Sequence, residues 1–274
     1  MTSATSDREL ELLLRKLHTE RGLDARHYRQ SYVERRIATR LRAVQLDSYR
    51  EYRQLLDGNA EEYTRLISAL TVNVTEFFRD KPVWESFTKR VVPDLLNRKA
   101  ARNQHLVRIW CAGCSGGEEP YTVALITHEA TSRSDFPFSV SVYASDIDTD
   151  CLERARAAVY PNKELSSIPA HYRSECVSAG EGKFTFTKEI RSQVRFRRLD
   201  LFADKPIAAV DAIFCRNVLI YFDRAQQERI FDSFHSALNR GGYLIIGMSE
   251  KIGGASVRQF ETVSGREKIY RRRD

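Results

Sequence analysis

Apolar residues in the first quarter of the chain recur at helical spacing. One stripe comprises Leu10, Leu13, Leu14 and Leu17, and a second comprises Tyr32, Val33, Ile37, Leu41 and Val44. A repeat of three to four residues places such side chains on one face of a helix. Two further segments, 48–56 and 60–70, continue the pattern. Residues 8–70 are therefore predicted to form a small all-helical bundle.

Beyond Thr71, strand-like runs alternate with helical ones. Strands are predicted at 106–111, 139–144, 211–214 and 242–247, with helices at 120–129, 149–159 and 224–238. This alternation is typical of a mostly parallel sheet covered by helices. A short last run around Ile269 and Tyr270 predicts a closing hairpin strand. The fold class expected is α/β.

Residues 160–200 interrupt this alternation. Residues 183–187 alternate at a period of two behind Gly180 and Gly182, and residues 194–197 alternate again. We expect a small antiparallel β subdomain inserted at about 160–198. The predicted domains are an N-terminal helical domain at 1–80 and an α/β domain at 81–274.

Composition narrows the class of protein. The chain has 274 residues, of which 42% are hydrophobic and 30% charged, as in a globular protein with a sizeable core. No apolar run approaches the ~18 residues of a membrane span, and the start lacks a basic segment followed by an apolar one. Five cysteines, with a single Cys111-x-x-Cys114 pair, predict neither a disulfide framework nor a metal site. A cytoplasmic protein that is not inserted in a membrane is expected.

Positive charge is concentrated near the N-terminus. The net charge is +7, and residues 21–50 carry eight arginines against three acids. Arg29, Arg36 and Arg40 lie seven and four residues apart and so share a helix face. The pattern fits an acidic partner, and it equally fits a solvated helix face.

A glycine loop, residues 112–117, follows the first predicted strand and continues into Glu118-Glu119-Pro120. A phosphate-binding loop would need Gly-Lys-Ser/Thr, and a dinucleotide fingerprint would need G-x-G-x-x-G; neither pattern is present. Two acids at the start of the following helix favour a ligand with a cationic centre. S-adenosylmethionine, which has a sulfonium, an amino group and a ribose but no phosphate, is such a ligand.

Polar residues also follow the other predicted strands. Asp146 ends the second strand and can accept both hydroxyls of a ribose, although its 33-residue separation from Gly113 exceeds the ~20 typical of dinucleotide folds. An isolated aspartate can also serve as a helix cap, and Asp148 or Thr149 is expected to cap the next helix. Open α/β sheets bind ligands at the carboxyl ends of their strands, so the polar residues that follow the predicted strands are expected to lie together.

Five blocks carry a resemblance to a known family: TVNVTEFFRD (71–80), WCAGCSGGEEPYT (110–122), ASDIDTDCLERARAAVY (144–160), DAIFCRNVLIYF (211–222) and GGYLIIGMSE (241–250). In this order and spacing they resemble the chemotaxis receptor methyltransferases, the CheR family. The resemblance implies a Rossmann-like S-adenosylmethionine-dependent methyltransferase sheet with an N-terminal all-helical domain and a small antiparallel β insertion. It also implies an enzyme that esterifies glutamate side chains on the cytoplasmic helices of chemoreceptors and releases S-adenosylhomocysteine.

The resemblance also implies roles for individual residues. Cofactor contacts are implied for Asn73, Thr75, Arg79, Glu119, Asp146, Asp200, Leu201, Arg216 and Asn217. Asp200 stands where many relatives have Asn. Arg79 and Tyr221 match the pair that holds the substrate carboxylate, and Arg29, Arg36 and Arg40 would face the acidic receptor helices.

Two alternatives remain open at this point. A nucleic-acid methyltransferase would suit the basic helix, but the position after the predicted strand at 211–214 reads Cys215-Arg216-Asn217-Val218 and lacks the Pro-Pro-aromatic turn of enzymes that methylate base amines. A non-catalytic S-adenosylmethionine-binding adaptor would keep the fold alone. We expect a monomer that does not bind nucleic acid. In the family that this chain resembles, members that grip a receptor C-terminal pentapeptide as a tether carry a longer hairpin in the β insertion with more glycine at its turn. The segment 161–198, with its turn at 179–183, is a few residues shorter than that form, so no tether is expected to be required.

Overall fold

The computed structural model describes residues 3–274 and divides into two compact units. The first unit runs to Asn73 and also includes Tyr221–Gln226. The second unit comprises Val74–Ile220 and Gln227–Asp274. The chain thus enters the second unit once, returns briefly to the first, and finishes in the second.

The first unit is helical, as its apolar stripes predict. It consists of α1 (Ser3–Arg21), a 3₁₀ turn (Ala25–His27), α2 (Gln30–Ala43), α3 (Tyr49–Gly58) and α4 (Ala60–Thr71). The leucines of the first stripe are buried. Ser48 and Asn59 accept backbone N–H bonds from Glu51 and Glu62 and so cap α3 and α4.

The main sheet of the second unit has seven strands. They are β1 (Leu106–Ala112), β2 (Ser139–Asp146), β6 (Val194–Arg198), β7 (Val210–Cys215), β8 (Leu238–Ile246), β9 (Phe260–Ser264) and β10 (Ile269–Arg272). Their order across the sheet is β6-β2-β1-β7-β8-β10-β9. The first five are parallel to one another, and β10 pairs antiparallel with both β8 and β9 as the predicted closing hairpin.

Helices connect and cover this sheet. They are α5 (Lys81–Ser86), α6 (Val92–Ala101), α7 (Glu118–Ser132), α8 (Thr149–Ala157), α9 (Lys188–Gln193) and α10 (Arg224–Ala237), with a π-helical turn at Phe87–Val91. Because β1 lies between β2 and β7, the strand order reverses there, at the position where open α/β sheets bind ligands.

A second, three-stranded antiparallel sheet lies within the predicted insertion. It contains β3 (Tyr160–Pro161), β4 (Cys176–Ser178) and β5 (Lys183–Phe186) in the order β3-β5-β4. Phe77 packs against it, with its ring 5.6 Å from Phe186 and 4.9 Å from Tyr160. The small sheet therefore shares the core of the segment that precedes Arg79.

The structure corrects one assignment within 160–198. Val194–Arg198, which the alternation predicts to lie in the antiparallel insertion, is instead the edge strand of the main sheet and runs parallel to β2 from Val142↔Val194 to Asp146↔Arg198. Alternation at a period of two indicates that one face of a strand is exposed, and this pattern is expected for an edge strand of either sheet. The neighbour and its direction are set by tertiary packing.

No helix among residues 3–274 combines the length and the apolar character needed to cross a bilayer.

Candidate functional site

Five strand ends bring the site residues of the second unit to one edge of the sheet. The parallel strands β1, β2, β6, β7 and β8 all finish there, so the residues that follow them are neighbours in space. This carboxyl edge includes the glycine loop after β1, Asp146 at the end of β2 and Arg216 after β7. It also includes a residue with no predicted role, Glu250, after β8.

The glycine loop turns sharply through left-handed backbone conformations. Gly113 has φ 77°, Ser115 has φ 47° and Gly117 has φ 97°. A Cβ on Gly113 would lie 2.4 Å from Cγ2 of Val218, so only glycine fits there. The amides of Gly113 and Cys114 both donate to the carbonyl of Ser145, which ties the loop to β2.

Asp146 is buried beneath this loop. Its Oδ2 accepts from the Ser115 amide at 2.8 Å and its Oδ1 from the Asp148 amide at 3.0 Å. Burial raises its pKa, although these amide hydrogen bonds act in the opposite direction. Each carboxylate oxygen keeps a further lone pair that can accept a ligand hydroxyl. Asp148 accepts from two amides of α8 and is its cap, as predicted.

Ser115 adds a second polar group at this point. Its Oγ is buried and has no hydrogen-bond partner in the part of the chain that the structure describes. A buried hydroxyl beside an acceptor such as Asp146 suits a polar ligand, because it would otherwise stay unpaired. The loop thus fits a ribose, and without a lysine it does not fit a phosphate group.

Glu119 lies at the start of α7 and is paired with Arg216. Nη1 of Arg216 donates to Oε2 of Glu119 at 3.2 Å, while Nη2 donates to Oδ2 of Asp80 at 2.7 Å. The Arg216 side chain is 2% exposed, and its guanidinium lies 5.1 Å from the ring centre of Trp84. Burial raises the pKa of Glu119, and the positive charge of Arg216 acts against this shift. The buried guanidinium of Arg216 thus helps to keep the largely buried carboxylate of Glu119 ionised.

Arg79 is held through its backbone as well as its side chain. Its carbonyl accepts from Nη2 of Arg216 at 2.8 Å and from Nε1 of Trp84 at 2.7 Å. Its own Nη1 donates to the Val74 carbonyl at 2.9 Å. The segment before α5 is therefore fastened to the strand end that carries Arg216. Thr75 lies in this segment and is partly buried.

Asp200 is occupied mainly by its own loop. Its Oδ1 accepts from the amides of Phe202 at 2.8 Å and Ala203 at 3.3 Å, and its own amide donates to Asp204. Leu201 follows at the turn and is partly buried. The Asp200 carboxylate therefore helps to form its own loop, and its contact with the cofactor stays a prediction.

Glu250 is a residue of the carboxyl edge that the sequence analysis did not single out. It is buried and accepts backbone N–H bonds from Gly247 at 2.6 Å, Asn217 at 3.2 Å and Ile220 at 3.2 Å. It thereby fixes the turn after β7, in which Asn217 has φ 61°. The available signal in the sequence was an acid four residues after a buried strand, within the last quoted block.

Asn73 and Tyr221 belong to the first unit. The amide Nδ2 of Asn73 donates to Oγ1 of Thr71 at 3.2 Å. The Tyr221 ring lies 4.9 Å from that of Tyr32, and its carbonyl accepts from the Arg29 amide at 2.9 Å. The division of the chain separates them from Arg79 and Thr75, so the pairing of Arg79 with Tyr221 stays a prediction.

The three predicted arginines of α2 differ in their surroundings. Arg40 forms a two-pronged pair with Glu62 at 2.9 and 2.6 Å, and Glu62 is 1% exposed. Arg36 lies over the Tyr32 ring at 5.4 Å. Arg29, which precedes the helix, donates through Nε to the Phe222 carbonyl at 3.0 Å. Arg40 is thus a structural residue of the first unit.

The exposed charges of α2 are elsewhere. Arg35 and Arg42 are exposed and lie seven residues apart, two turns along the helix. Regular spacing places Arg36 and Arg40 on one face but does not reveal that Arg40 forms an ion pair with a buried acid on α4.

The cysteines near the glycine loop are not placed as reactive thiols or as metal ligands. Cys111 and Cys114 are free and buried, and burial raises the pKa of both thiols well above the usual value. Over residues 3–274 no three His, Cys, Asp or Glu side chains gather as a metal site would require. The two cysteines are packed structural residues.

Comparison with known proteins covers both units. The family described as CheR methyltransferase, SAM binding domain, matches residues 73–269, and CheR methyltransferase, all-alpha domain, matches residues 8–71. Residues 73–269 therefore form a domain whose cofactor is S-adenosylmethionine.

Relatives match along most of their length. A chemotaxis protein methyltransferase 2 of Pseudomonas aeruginosa is 37% identical over 88% of this chain and 85% of its own. Chemotaxis protein methyltransferases of Borreliella burgdorferi and Salmonella typhimurium are 31% and 32% identical, over 90% and 94% of this chain and 89% and 88% of theirs. With both domains matched in order, the chain belongs to the CheR methyltransferase family.

Proposed function

We propose that this protein methyl-esterifies glutamate side chains on the cytoplasmic helices of chemoreceptors, with S-adenosylmethionine as methyl donor. The observation that carries the proposal is the carboxyl edge itself, where Asp146, which is buried, and Glu119, whose side chain is 12% exposed, lie beside a glycine loop without lysine. The match of both family domains supports the same reaction. A cytoplasmic location follows from the proposed substrate.

The cofactor brings the methyl group, bonded to a sulfonium sulfur. Asp146 would accept the ribose hydroxyls, and Glu119 would face the positively charged methionine end. Asn73, Thr75 and Asn217, which lie in the family's blocks, would complete the contacts together with Asp200 and Leu201. Arg216 supports this arrangement because it holds Glu119 and the backbone of Arg79 together.

The substrate needs no general base. A glutamate has a pKa near ~4.3, so at neutral pH it is already a carboxylate nucleophile. The enzyme must instead align the carboxylate oxygen with the methyl carbon and exclude water. Arg79 would bind one carboxylate oxygen while Tyr221 donates a hydrogen bond that orients it. One C–O bond then forms as the C–S bond breaks, leaving an ester and S-adenosylhomocysteine.

The direct test measures transfer of radiolabelled methyl to receptor cytoplasmic fragments, followed by release of the label in alkali. We expect alkali-labile label, because a methyl ester is hydrolysed by base and a methylated amine is not. Label that resists alkali, or that requires DNA or RNA, would favour a nucleic-acid methyltransferase. Bound S-adenosylmethionine without any transfer would favour the adaptor.

The substrate pair is tested in the same assay. Arg79→Ala and Tyr221→Phe should lower turnover more than they weaken cofactor binding, since their proposed task is to orient the carboxylate. Turnover at the wild-type rate in either variant would contradict that assignment.

The proposed enzyme is a monomer and needs no pentapeptide tether. The turn between β4 and β5 is short, spanning 179–182, and this supports the proposal that no tether is needed. Titration with a receptor C-terminal pentapeptide should give no micromolar binding, and such binding would overturn the proposal on the tether.

A further inference from the structure

We infer that Asp80 is a specificity-determining residue that favours the sulfonium cofactor over its thioether product, and that it acts through Arg216. The inference rests on the proposed use of S-adenosylmethionine at the carboxyl edge. Asp80 precedes α5 and does not cap it with its side chain. Its carboxylate instead receives Nη2 of Arg216 at 2.7 Å.

Charge balance gives Asp80 this role. Asp80 and Glu119 each bear a negative charge and share the single positive charge of Arg216, so the trio carries a net charge of −1. Arg79 and Glu250 also act electrostatically on Glu119, with opposite signs. Without Asp80, Arg216 would neutralise Glu119, and the network would lose its excess negative charge.

The cofactor and its product differ in the positive charge that the excess negative charge of this network would attract. S-adenosylmethionine carries a sulfonium and S-adenosylhomocysteine a neutral thioether, while their ammonium, carboxylate and adenosine groups are the same. Removal of the Asp80 charge therefore weakens binding of the sulfonium form more than binding of the thioether. Asp80 is partly exposed, but its partner Arg216 is 2% exposed, so the charges of this network are partly shielded from water and interact more strongly than they would in bulk water.

The geometry allows the charge of Asp80 to be removed without releasing Arg216. The guanidinium still has Glu119, the Arg79 carbonyl and the Trp84 ring as partners. Asp80 has φ 59°, a conformation that asparagine tolerates well. In Asp80→Asn the amide oxygen can also accept the Arg216 hydrogen bond. The substitution is therefore an electrostatic probe.

Calorimetric titration of the full chain with each ligand tests the inference. In Asp80→Asn we expect the Kd of S-adenosylmethionine to rise about tenfold, equivalent to about 1.4 kcal/mol. The Kd of S-adenosylhomocysteine should change by less than about twofold, because the thioether carries no charge. Asp80→Gly, which also suits a positive φ, should give the same shift in the ratio of the two constants.

Asp94→Asn is the matched control. Its carboxylate is similarly exposed, at 35% against 31% for Asp80, and it pairs with Arg98 and Arg271 outside the network. It should leave the ratio unchanged.

Equal weakening of both ligands in Asp80→Asn would show a merely structural role and overturn the inference, as would an unchanged ratio in Asp80→Gly. Wild-type protein that binds neither ligand would overturn the proposed function and this inference with it.

Discussion

Burial and pairing decide how each acid of the carboxyl edge acts. Asp146 and Glu119 both have raised pKa values because they are removed from water, yet each has hydrogen-bond donors that favour its charged form. Glu250 uses its oxygens to fix a backbone turn. The three acids at this edge thus have three different sets of partners.

The assignment of Asp146 leads to a prediction about cofactor binding. Asp146→Ala should weaken S-adenosylmethionine binding by about 2–3 kcal/mol, as expected when a charged hydrogen-bond acceptor is lost. Isothermal titration measures this directly. Asp148→Ala is the control: it removes a helix cap at a cost of about 1 kcal/mol in stability, with a smaller effect on affinity. If Asp146→Ala binds as tightly as wild type, the carboxylate serves only the Ser115 and Asp148 amides.

Helix α2 combines a structural arginine with exposed ones. Arg40 reaches Glu62 at the start of α4, and the Tyr52 hydroxyl of α3 donates to the same carboxylate at 2.7 Å. Burial tends to raise the pKa of Glu62, but the hydrogen bonds from Arg40 and Tyr52 outweigh it and the pKa is lowered. Three helices therefore meet at one charged, buried group.

Removal of Arg40 should destabilise the protein. Arg40→Met leaves the Glu62 carboxylate buried without its guanidinium, and we expect a loss of about 2–3 kcal/mol in the free energy of unfolding. Urea denaturation followed by circular dichroism gives this value. Arg42→Met changes an exposed arginine of the same helix and should cost less than about 0.5 kcal/mol. Equal effects of the two variants would contradict the structural role of Arg40.

The exposed arginines of α2 give a prediction about the receptor. Reversal of Arg35 and Arg42 to Glu should raise the KM for receptor and flatten its salt dependence, since complementary charge mainly speeds encounter and is screened over ~8 Å at physiological salt. Cofactor affinity should not change. Reversal of Arg36 and Arg40 would be a poorer test, because Arg40 is already paired with Glu62.

A control with the same change in net charge separates docking from general electrostatics. Arg133→Glu with Arg240→Glu alters two exposed arginines of the second unit, the first directly after α7 and the second on β8. A KM that rises equally in both double variants would mean that the α2 arginines form a solvated helix face with no specific role in docking.

For the molecule as a whole, one buried acid should shape the dependence of stability on pH. Glu118 opens α7, its Oε2 has no partner among the described residues, and burial raises its pKa to about 7. The unfolded chain ionises this group near its ordinary value of 4.5. Folded protein therefore binds more protons than unfolded protein between these values, and stability falls as pH rises through this range.

Glu118→Gln should remove this loss of stability. The variant should become more stable relative to wild type as pH rises from 5 to 8, by about 2–3 kcal/mol at the upper end. Unfolding in urea at pH 5, 6, 7 and 8 measures the difference. Parallel stability curves for the two proteins would mean that Glu118 titrates normally.

Much of the architecture is encoded locally. Helical stripes predicted the bundle, alternating runs predicted the parallel sheet and its closing hairpin, and five ordered motifs predicted the family, now established. These signals are readable because hydrophobic periodicity and turn chemistry depend on neighbours within a few residues. The glycine loop is such a case, since its backbone conformation excludes most other side chains at Gly113.

The partners of those elements were decided by tertiary structure. The sequence does not show that Val194–Arg198 pairs with β2 or that Arg40 pairs with Glu62. Nor does it show that Asp80 pairs with Arg216, which lies 136 residues further along the chain. Periodicity reports which face of an element is buried, whereas a partner across the fold depends on how whole elements pack. Short-range patterns thus determined the elements and the family, and long-range packing determined which charges are paired and which stay exposed.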